Sequence, residues 1–170
     1  MMKYRLVTPG PAMVPSEALL ELAKPVFHHR TAENKAMIAE AIDGLKKVFV
    51  TSNDVVLLTS SGTGAMEAAV ANTLSPGDKA IVIVAGKWGE RWAEICQTYR
   101  AELIQLKAEY GKVVTPEQVA KALADHPETK IVCATLSETS TGVAHDVEAI
   151  GKLVAKTGAL FAVDGISGVG

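Results

Sequence analysis

The sequence predicts an α/β fold with three layers (α/β/α), in which a mostly parallel sheet lies between two layers of helices. Short β-branched runs alternate with helical patterns along the chain, and most of these runs are apolar throughout rather than at every second position. Strands covered on both faces have this pattern, which is typical of parallel sheets. A length of 170 residues with 48% hydrophobic and 21% charged residues is that of one globular domain, with two small ones just possible.

Five apolar runs are predicted to be strands, at residues 55–58, 80–84, 103–106, 131–136 and 160–163. Apolar stripes at helical spacing predict helices. These stripes are Ile38, Ile42, Leu45 and Phe49, then Trp88, Trp92, Ile95 and Tyr99, and then Val147, Ile150 and Val154. One more helix is predicted to begin at the N-cap Thr115, because Pro116 and Gln118 complete a capping box. An extended arm at 8–11, a helix near 16–24 and a turn at 75–78 complete the pattern.

Composition and charge exclude several classes of partner. The 17 basic and 19 acidic residues give a formal net charge of −2, so no basic surplus favours nucleic acid or an anionic membrane. The longest apolar run, residues 80–85, is far shorter than the roughly 20 residues that span a bilayer. The N-terminus lacks the pattern of a signal peptide. Cys96 and Cys133 are isolated in the sequence, which indicates a reducing cytoplasm.

No metal site is expected from the histidines and cysteines. His28 and His29 are adjacent, so in an extended segment their side chains point in opposite directions. No cysteine and no second histidine pair has the spacing to converge with them. His126 and His145 lie in polar contexts and are predicted to be solvated.

The segment 59–65, which follows the first predicted strand and precedes a helix, has the composition of a phosphate cup. A helix N-terminus offers unpaired N–H groups, glycines allow close approach, and Ser61 and Thr63 add hydroxyl donors. An N-cap with ordinary turn glycines is the alternative. A dinucleotide fingerprint would have a third glycine where Glu67 stands, and no Gly-Lys-Ser/Thr follows the glycines. A smaller phosphorylated cofactor is therefore expected.

Three further strand ends carry candidate residues, because ligands of open α/β sheets bind at the carboxyl ends of strands. Trp88, flanked by glycines, can lie over a flat ligand or belong to the core with Trp92. The hydroxyl-rich segment 137–142 can bind a ligand or cap the next helix. Asp164 follows a buried strand, where a carboxylate is costly unless it is paired. A protonated pyridine nitrogen is a suitable partner for Asp164, and a turn or N-cap role is the alternative.

Together these positions resemble the class V aminotransferases, a branch of the fold-type I pyridoxal-phosphate enzymes, and most of all the alanine–glyoxylate and serine–pyruvate aminotransferases. The resemblance covers essentially the whole chain and depends on the order and spacing of short pieces. They are Thr8-Pro-Gly-Pro11 with Val14-Pro15, His28-His-Arg-Thr31, Ser61-Gly-Thr-Gly-Ala-Met-Glu67, Pro76-Gly-Asp78, Gly86-Lys-Trp-Gly89, Glu138-Thr-Ser-Thr-Gly-Val143 and Val163-Asp164.

The resemblance implies an incomplete large domain of these enzymes. Residues 1–30 would be an N-terminal arm and first helix, and residues 31–170 the N-terminal part of the cofactor-binding large domain, with the small C-terminal domain absent. The family site is built between two subunits, so the resemblance also implies a homodimer.

The resemblance further implies pyridoxal 5′-phosphate as the cofactor, and it gives matching residues their roles. The implied contacts are Ser61, Gly62 and Thr63 at the phosphate, Trp88 and Ile166 on the two faces of the pyridine ring, Thr139 near the ring hydroxyl, and Asp164 at the ring nitrogen. Gly10, His29 and Arg30 would lie near the substrate or at the dimer interface, and for Arg30 a surface ion pair is an equal alternative.

The chain departs from the family in one respect. The family's lysine, which forms a Schiff base with the cofactor, follows this aspartate and is expected beyond Gly170. Lys87 is the lysine nearest to the predicted site, but its position does not match. We therefore expect no catalytic residue in this chain and no transamination by it alone.

The leading hypothesis is transamination of a small amino acid, alanine or serine, with glyoxylate or pyruvate, in which this chain supplies the cofactor-holding half of the site. A cysteine desulfurase stays open within the fold type, although that group usually stacks a histidine where Trp88 stands. A phosphonate or phosphoserine aminotransferase stays open as well. The alternative from another class is a catalytically inactive fragment or a binding subunit.

Overall fold

The computed structural model describes residues 5–169. The described residues divide into two units, 5–57 and 58–169. The outermost residues of the expected segments 1–30 and 31–170, namely 1–4 and 170, lie outside the described residues.

The first unit contains two helices, α1 (Ser16–Leu22) and α2 (Ala32–Val48). Residues 5–15 form neither helix nor strand. α2 begins after Thr31, whose hydroxyl accepts a hydrogen bond from the backbone N–H of Asn34 at 3.2 Å and so caps the helix. Neither helix has a buried residue. The predicted apolar stripe of α2 is thus open, with Ile38 43% and Phe49 52% exposed.

The predicted strand at residues 55–58 is wrong, because these residues make no ladder with any described strand. Val56 is 75% exposed and Leu58 is 47% exposed. A strand needs a neighbour that satisfies its backbone N–H and C=O groups. An apolar run indicates burial without specifying that neighbour, so the sequence pattern alone was not enough.

The second unit carries the sheet. Its elements, in chain order, are α3 (Gly62–Thr73), β1 (Lys79–Val84), α4 (Lys87–Thr98), β2 (Glu102–Lys107), α5 (Pro116–Asp125), β3 (Ile131–Thr135), β4 (Ser137–Glu138), β5 (Val143–Ala144), α6 (Val147–Val154) and β6 (Leu160–Asp164). Four strands pair in parallel in the order β2-β1-β3-β6, and β4 pairs with β5 as a short antiparallel hairpin. The predicted strands other than 55–58 are confirmed within one residue at each end. The hydroxyl-rich segment 137–142, where the sequence predicted no strand, supplies β4 and the turn of this hairpin.

The predicted three layers are confirmed, because alternate residues of β1 face opposite sides of the sheet. Ala80, Val82 and Val84 pack in one core cluster with residues of α3 and α4. Ile81 and Ile83 pack in a second cluster with residues of α5 and α6. The capping box predicted at Thr115–Gln118 starts α5 as expected. None of the helices within residues 5–169 has both the length and the apolar character of a membrane span.

Gly89 lies where α4 packs closely against the backbone of β1. A Cβ at position 89 would lie 2.6 Å from the carbonyl oxygen of Ile83 and 2.8 Å from the Cα of Val84. Alanine is favoured over glycine inside a helix by about 1 kcal/mol, but overpacking costs about 1–3 kcal/mol, and here the obstacle is backbone. Gly89→Ala should therefore lower the free energy of unfolding, which urea titration followed by circular dichroism measures.

Gly44→Ala in α2 is the matched control, because a Cβ at position 44 meets nothing within 4 Å. Helix propensity acts alone there, so this substitution should stabilise its helix by up to about 1 kcal/mol. Equal gains at the two positions would show that α4 does not approach β1 as closely as described.

Candidate cofactor site

The N-terminus of α3 has the features of an anion-binding end. Ser61 is the N-cap, its side chain makes no capping hydrogen bond, and the first turn contains no acidic residue. A Cβ at position 64 would lie 1.9 Å from the hydroxyl oxygen of Ser60 and 2.7 Å from its Cβ, so glycine is the residue that fits there. The N–H groups of the first turn and the hydroxyls of Ser61 and Thr63 can therefore converge on an anion.

The segment after β6 lies against the same helix end. The side chain of Ile166 approaches Gly62 so closely that a Cβ there would be 2.9 Å from its Cδ1 atom. Asp164 ends β6, and one of its carboxylate oxygens, Oδ1, accepts the N–H of Ile166 at 3.1 Å. No basic side chain within residues 5–169 pairs with this carboxylate. Asp164 therefore has an oxygen available for a cationic N–H group.

The neighbour of Asp164 on β3 adds a second polar atom at this strand end. Thr135 is in register with Asp164, so the two side chains point to the same face of the sheet. Thr135 is 2% exposed, and its hydroxyl has no hydrogen-bond partner among the described residues. A buried hydroxyl without a partner is uncommon and favours a polar group that completes the site.

Trp88 lies at the start of α4, at a strand end, and outside both core clusters. It is half-buried, whereas Trp92, one turn later, is 2% exposed and part of the core cluster. The indole Nε1–H of Trp88 donates to the hydroxyl of Thr139 at 2.9 Å. Because Thr139 accepts this bond, its own hydroxyl proton is available to a ligand.

Glu138 is the residue that sequence reasoning missed at this site. It is 1% exposed, and its Oε2 atom accepts the backbone N–H groups of Trp88 at 3.0 Å and Gly89 at 3.1 Å. The signal was present in the sequence, because Gly86 is the N-cap of α4 and has no side chain to satisfy that helix end. An acceptor had to come from elsewhere in the fold.

Lys87 is turned toward a carboxylate. Its Nζ lies 2.7 Å from Oε2 of Glu90, whose Oε1 accepts the phenol hydroxyl of Tyr110 at 2.6 Å. The hydrogen bond to Glu90 raises the pKa of the Lys87 ammonium above its usual value, and Lys87 lowers the pKa of the Glu90 carboxyl. Lys87 is therefore a protonated amine at neutral pH and not a nucleophile.

The remaining predicted site residues, Gly10, His29 and Arg30, belong to the first unit. Gly10 lies in the segment without regular structure. The carbonyl of His29 accepts the side-chain amide of Asn34 at 2.9 Å, and the N–H of Arg30 donates to Nδ1 of His28 at 3.1 Å. The rings of His28 and His29 stack with centroids 4.6 Å apart, so they do not point in opposite directions as predicted. No cluster of metal-ligating side chains is found within the described part of the chain.

The prediction that His145 is solvated is wrong. The residue is 5% exposed, and its Nδ1 lies 2.9 Å from the carbonyl oxygen of Thr135. A carbonyl only accepts, so Nδ1 carries the proton. Nε2 has no partner among the described residues. His145 fixes the hairpin to the end of β3, a tertiary contact that its polar sequence neighbours did not reveal.

Comparison with known proteins gives a consistent result. The family model for Aminotransferase class-V matches residues 17–170. The chain is 42% identical over 168 residues to an uncharacterized aminotransferase of Methanocaldococcus jannaschii, covering 99% of this chain and 44% of that protein. It is 36% identical over 168 residues to an L-aspartate–glyoxylate aminotransferase of Paracoccus denitrificans, covering 95% and 42%. It is also 44% identical over 171 residues to a protein of Anabaena cylindrica named soluble hydrogenase 42 kDa subunit, covering 99% and 45%.

Solved structures agree with these relatives. Ureidoglycine–glyoxylate aminotransferase of Bacillus subtilis matches with a TM-score of 0.93 at 28% identity, covering 99% of this chain and 44% of that one. Alanine–glyoxylate aminotransferase of a Nostoc species matches with a TM-score of 0.89 at 30% identity, covering 96% and 44%. This chain thus spans less than half the length of the proteins it matches. The resemblance found in the sequence is confirmed: the chain belongs to the class V aminotransferases.

Proposed function

We propose that this chain forms the cofactor-holding half of a pyridoxal-phosphate-dependent aminotransferase, which exchanges the amino group of alanine or serine with glyoxylate or pyruvate. The observation that carries the proposal is the gathering, at one edge of the sheet, of a helix end with free N–H donors, a half-buried indole and a carboxylate that has no basic partner within residues 5–169. Glyoxylate recurs in the names of several matched proteins, whereas the amino donor in those names varies among aspartate, serine, ureidoglycine and alanine. The names therefore support glyoxylate as the amino acceptor more strongly than they support alanine or serine as the amino donor.

The residues fit the proposed cofactor at three points. The first turn of α3, with Ser61, Gly62 and Thr63, offers N–H and hydroxyl donors and no acidic residue, as a phosphate requires. Trp88 presents an aromatic face at the strand ends and is held at its indole nitrogen. Asp164 has a carboxylate oxygen without a protein partner among the described residues, as a pyridinium N–H requires.

When bound, pyridoxal phosphate supplies an electron-poor ring that stabilises negative charge on the substrate α-carbon. Asp164 would hold a proton on the ring nitrogen, because its carboxylate favours the charged form of a neighbouring base. Trp88 and Ile166 would exclude water from the two faces of the ring. Thr139 would donate its hydroxyl proton to the ring oxygen. Each of these residues binds or orients, and none transfers the substrate proton.

The proton-transferring lysine is proposed to come from outside these residues. Lys87, the lysine beside Trp88, lies 2.7 Å from a carboxylate oxygen of Glu90, and this hydrogen bond keeps the pKa of the Lys87 ammonium above its usual value. A general base works best when its pKa lies near the pH at which it acts, and it must reach the proton that it removes. Lys87 meets the first requirement poorly, which supports a division of the site between this chain and a further segment.

A homodimer and a cytoplasmic location complete the proposal. The open stripe on α2 supports a partner surface, since Ile38 and Phe49 are large apolar residues that nothing within the first unit buries. Cys96 and Cys133 are both buried and both free thiols, which suits a reducing compartment.

A non-catalytic binding subunit is the second candidate function, favoured by the relative that is named as a hydrogenase subunit. The two candidates differ in cofactor binding. A binding subunit has no need of an available carboxylate and an aromatic face at the strand ends, so uptake of pyridoxal phosphate separates the two candidates.

The first prediction concerns Asp164 and the cofactor. The chain should bind pyridoxal phosphate in equilibrium dialysis, and Asp164→Asn should weaken binding by about tenfold or more, since a charged hydrogen bond contributes about 1.5–3 kcal/mol. Asp125→Asn is the control, because Asp125 pairs with Lys121 at the opposite end of the sheet from the site. Equal affinities for all three proteins would contradict the role of Asp164, and no binding by any of them would contradict the cofactor.

The second prediction concerns turnover. The 170-residue chain, supplied with pyridoxal phosphate, alanine and glyoxylate, should form no pyruvate above the rate of the free cofactor. Lys87→Met should leave cofactor affinity within about twofold of the unsubstituted chain, because the Lys87 side chain is engaged by Glu90. Pyruvate formation that disappears in Lys87→Met would show that this lysine does act as the base.

The third prediction concerns the homodimer. Sedimentation equilibrium should give twice the chain mass, and Ile38→Glu should shift the chain toward monomer by placing a charge in an apolar contact. Glu40→Lys, on the same helix but outside the apolar stripe, should leave the mass unchanged. A monomer at every concentration for the unsubstituted chain would refute this part of the proposal.

A further inference from the structure

The start of α4 is held by two side chains of the β4–β5 hairpin. Three consecutive backbone N–H groups donate to them: Lys87 to the hydroxyl of Ser140 at 3.0 Å, and Trp88 and Gly89 to Oε2 of Glu138 at 3.0 and 3.1 Å. Ser140 in turn donates its hydroxyl proton to Oε1 of Glu138 at 2.6 Å. The helix end is therefore satisfied entirely from a segment about fifty residues further along the chain.

The glycine at position 86 makes this approach possible. A Cβ there would lie 2.5 Å from both Cγ and Cδ of Glu138, and equally close to the hydroxyl oxygen of Ser140. The carboxylate thus occupies the space of the missing side chain of the N-cap. Negative charge at a helix N-terminus is favourable, and the burial of Glu138 to 1% exposure strengthens each of its hydrogen bonds.

The same hairpin also fixes the indole of Trp88. Its backbone N–H is held by Glu138 and its ring Nε1–H by the hydroxyl of Thr139, the next residue. The carbonyl of Glu138 accepts the N–H groups of Thr141 at 3.1 Å and Gly142 at 2.8 Å, so the turn that carries Thr139 is itself closed on Glu138. Trp88 is therefore attached to one rigid turn at two points.

We propose that Glu138 is a positioning residue, which holds Trp88 and Thr139 in one fixed arrangement on the face that receives the cofactor ring. That the ligand is the cofactor ring rests on the proposed function, whereas the hydrogen bonds that hold Trp88 and Thr139 do not depend on it. A face that is ordered before binding loses less conformational freedom when the ligand arrives, so the arrangement raises affinity without Glu138 touching the ligand.

The experiment follows each tryptophan separately. The chain contains two tryptophans, so incorporation of 5-fluorotryptophan gives two fluorine resonances, which Trp88→Phe assigns. Trp92 lies in the core and serves as the internal control. Spectra of the ligand-free protein report the order of the Trp88 ring, and dialysis against pyridoxal phosphate measures affinity on the same samples.

Glu138→Gln should preserve the Trp88 resonance and keep affinity within about twofold, because the amide oxygen still accepts both N–H groups of α4. Glu138→Leu should shift or broaden the Trp88 resonance, leave that of Trp92 in place and weaken binding by about tenfold, because the helix end loses both acceptors. Thr141→Val is the matched control on the same hairpin. Its hydroxyl makes only long hydrogen bonds, to the carbonyls of Ala85 at 3.3 Å and Glu138 at 3.4 Å, and none to α4. Valine keeps the backbone N–H that closes the turn on Glu138, so both signals should stay unchanged.

Ser140→Ala covers the case in which Glu138→Leu does not fold. It removes the hydroxyl that joins Lys87 to Glu138 near the protein surface, and it should move the Trp88 resonance in a smaller degree. The proposal is overturned if Trp88 is undisturbed in a folded Glu138→Leu protein, or in Ser140→Ala where the former does not fold. If the unsubstituted chain binds no pyridoxal phosphate, the proposed function fails, and the resonances of the ligand-free proteins still decide the role of Glu138.

Discussion

The parallel pairing of β1 with β3 is the constraint on which the second unit depends. Both strands are buried along almost their whole length, so their backbone N–H and C=O groups must be satisfied within the sheet. Parallel strands require crossover connections, and helices then cover both faces. Because each crossover brings the chain back to start the next strand in the same direction, the carboxyl ends of β1, β3 and β6 meet at one edge of the sheet. Trp88, Thr139 and Asp164 lie there for that reason, although they are far apart in sequence.

The two outer strands of the sheet differ in chemistry. β2 carries the charged Glu102 and Lys107 and the polar Gln105. Charged side chains on an outer strand protect a sheet edge from pairing with another chain. β6 is apolar until Asp164 at its end, with Leu160 57% and Val163 40% exposed. An apolar edge strand suits coverage by a further strand or chain. This contrast supports the proposal that the chain acts within a larger assembly.

The predictable features were those that neighbouring residues determine. Doubly buried strands show themselves as unbroken apolar runs, and the Thr115 box specifies a helix start by local hydrogen bonds, so both were located within a residue. Features that depend on a distant partner were not predictable. The run at 55–58 has no ladder neighbour among residues 5–169, and His145 is buried by a contact with the backbone of β3. Helical spacing also placed Trp88 and Trp92 in one stripe. The structure distinguishes them, because Trp92 lies in the core and Trp88 lies half-buried at the start of α4.

Two carboxylates at this edge show how hydrogen-bond satisfaction distinguishes support from binding. Glu138 is almost fully buried, and both of its oxygens accept hydrogen bonds from the protein, so it has no capacity left for a ligand. Asp164 accepts the N–H of Ile166 at one oxygen, and the other has no protein donor among the described residues. Asp164 is only half-buried, so water can satisfy this oxygen until another donor replaces it. The sequence shows two acids at two strand ends, whereas their hydrogen bonds differ: those of Glu138 are used up at the start of α4, and Asp164 keeps one oxygen without a donor among the described residues.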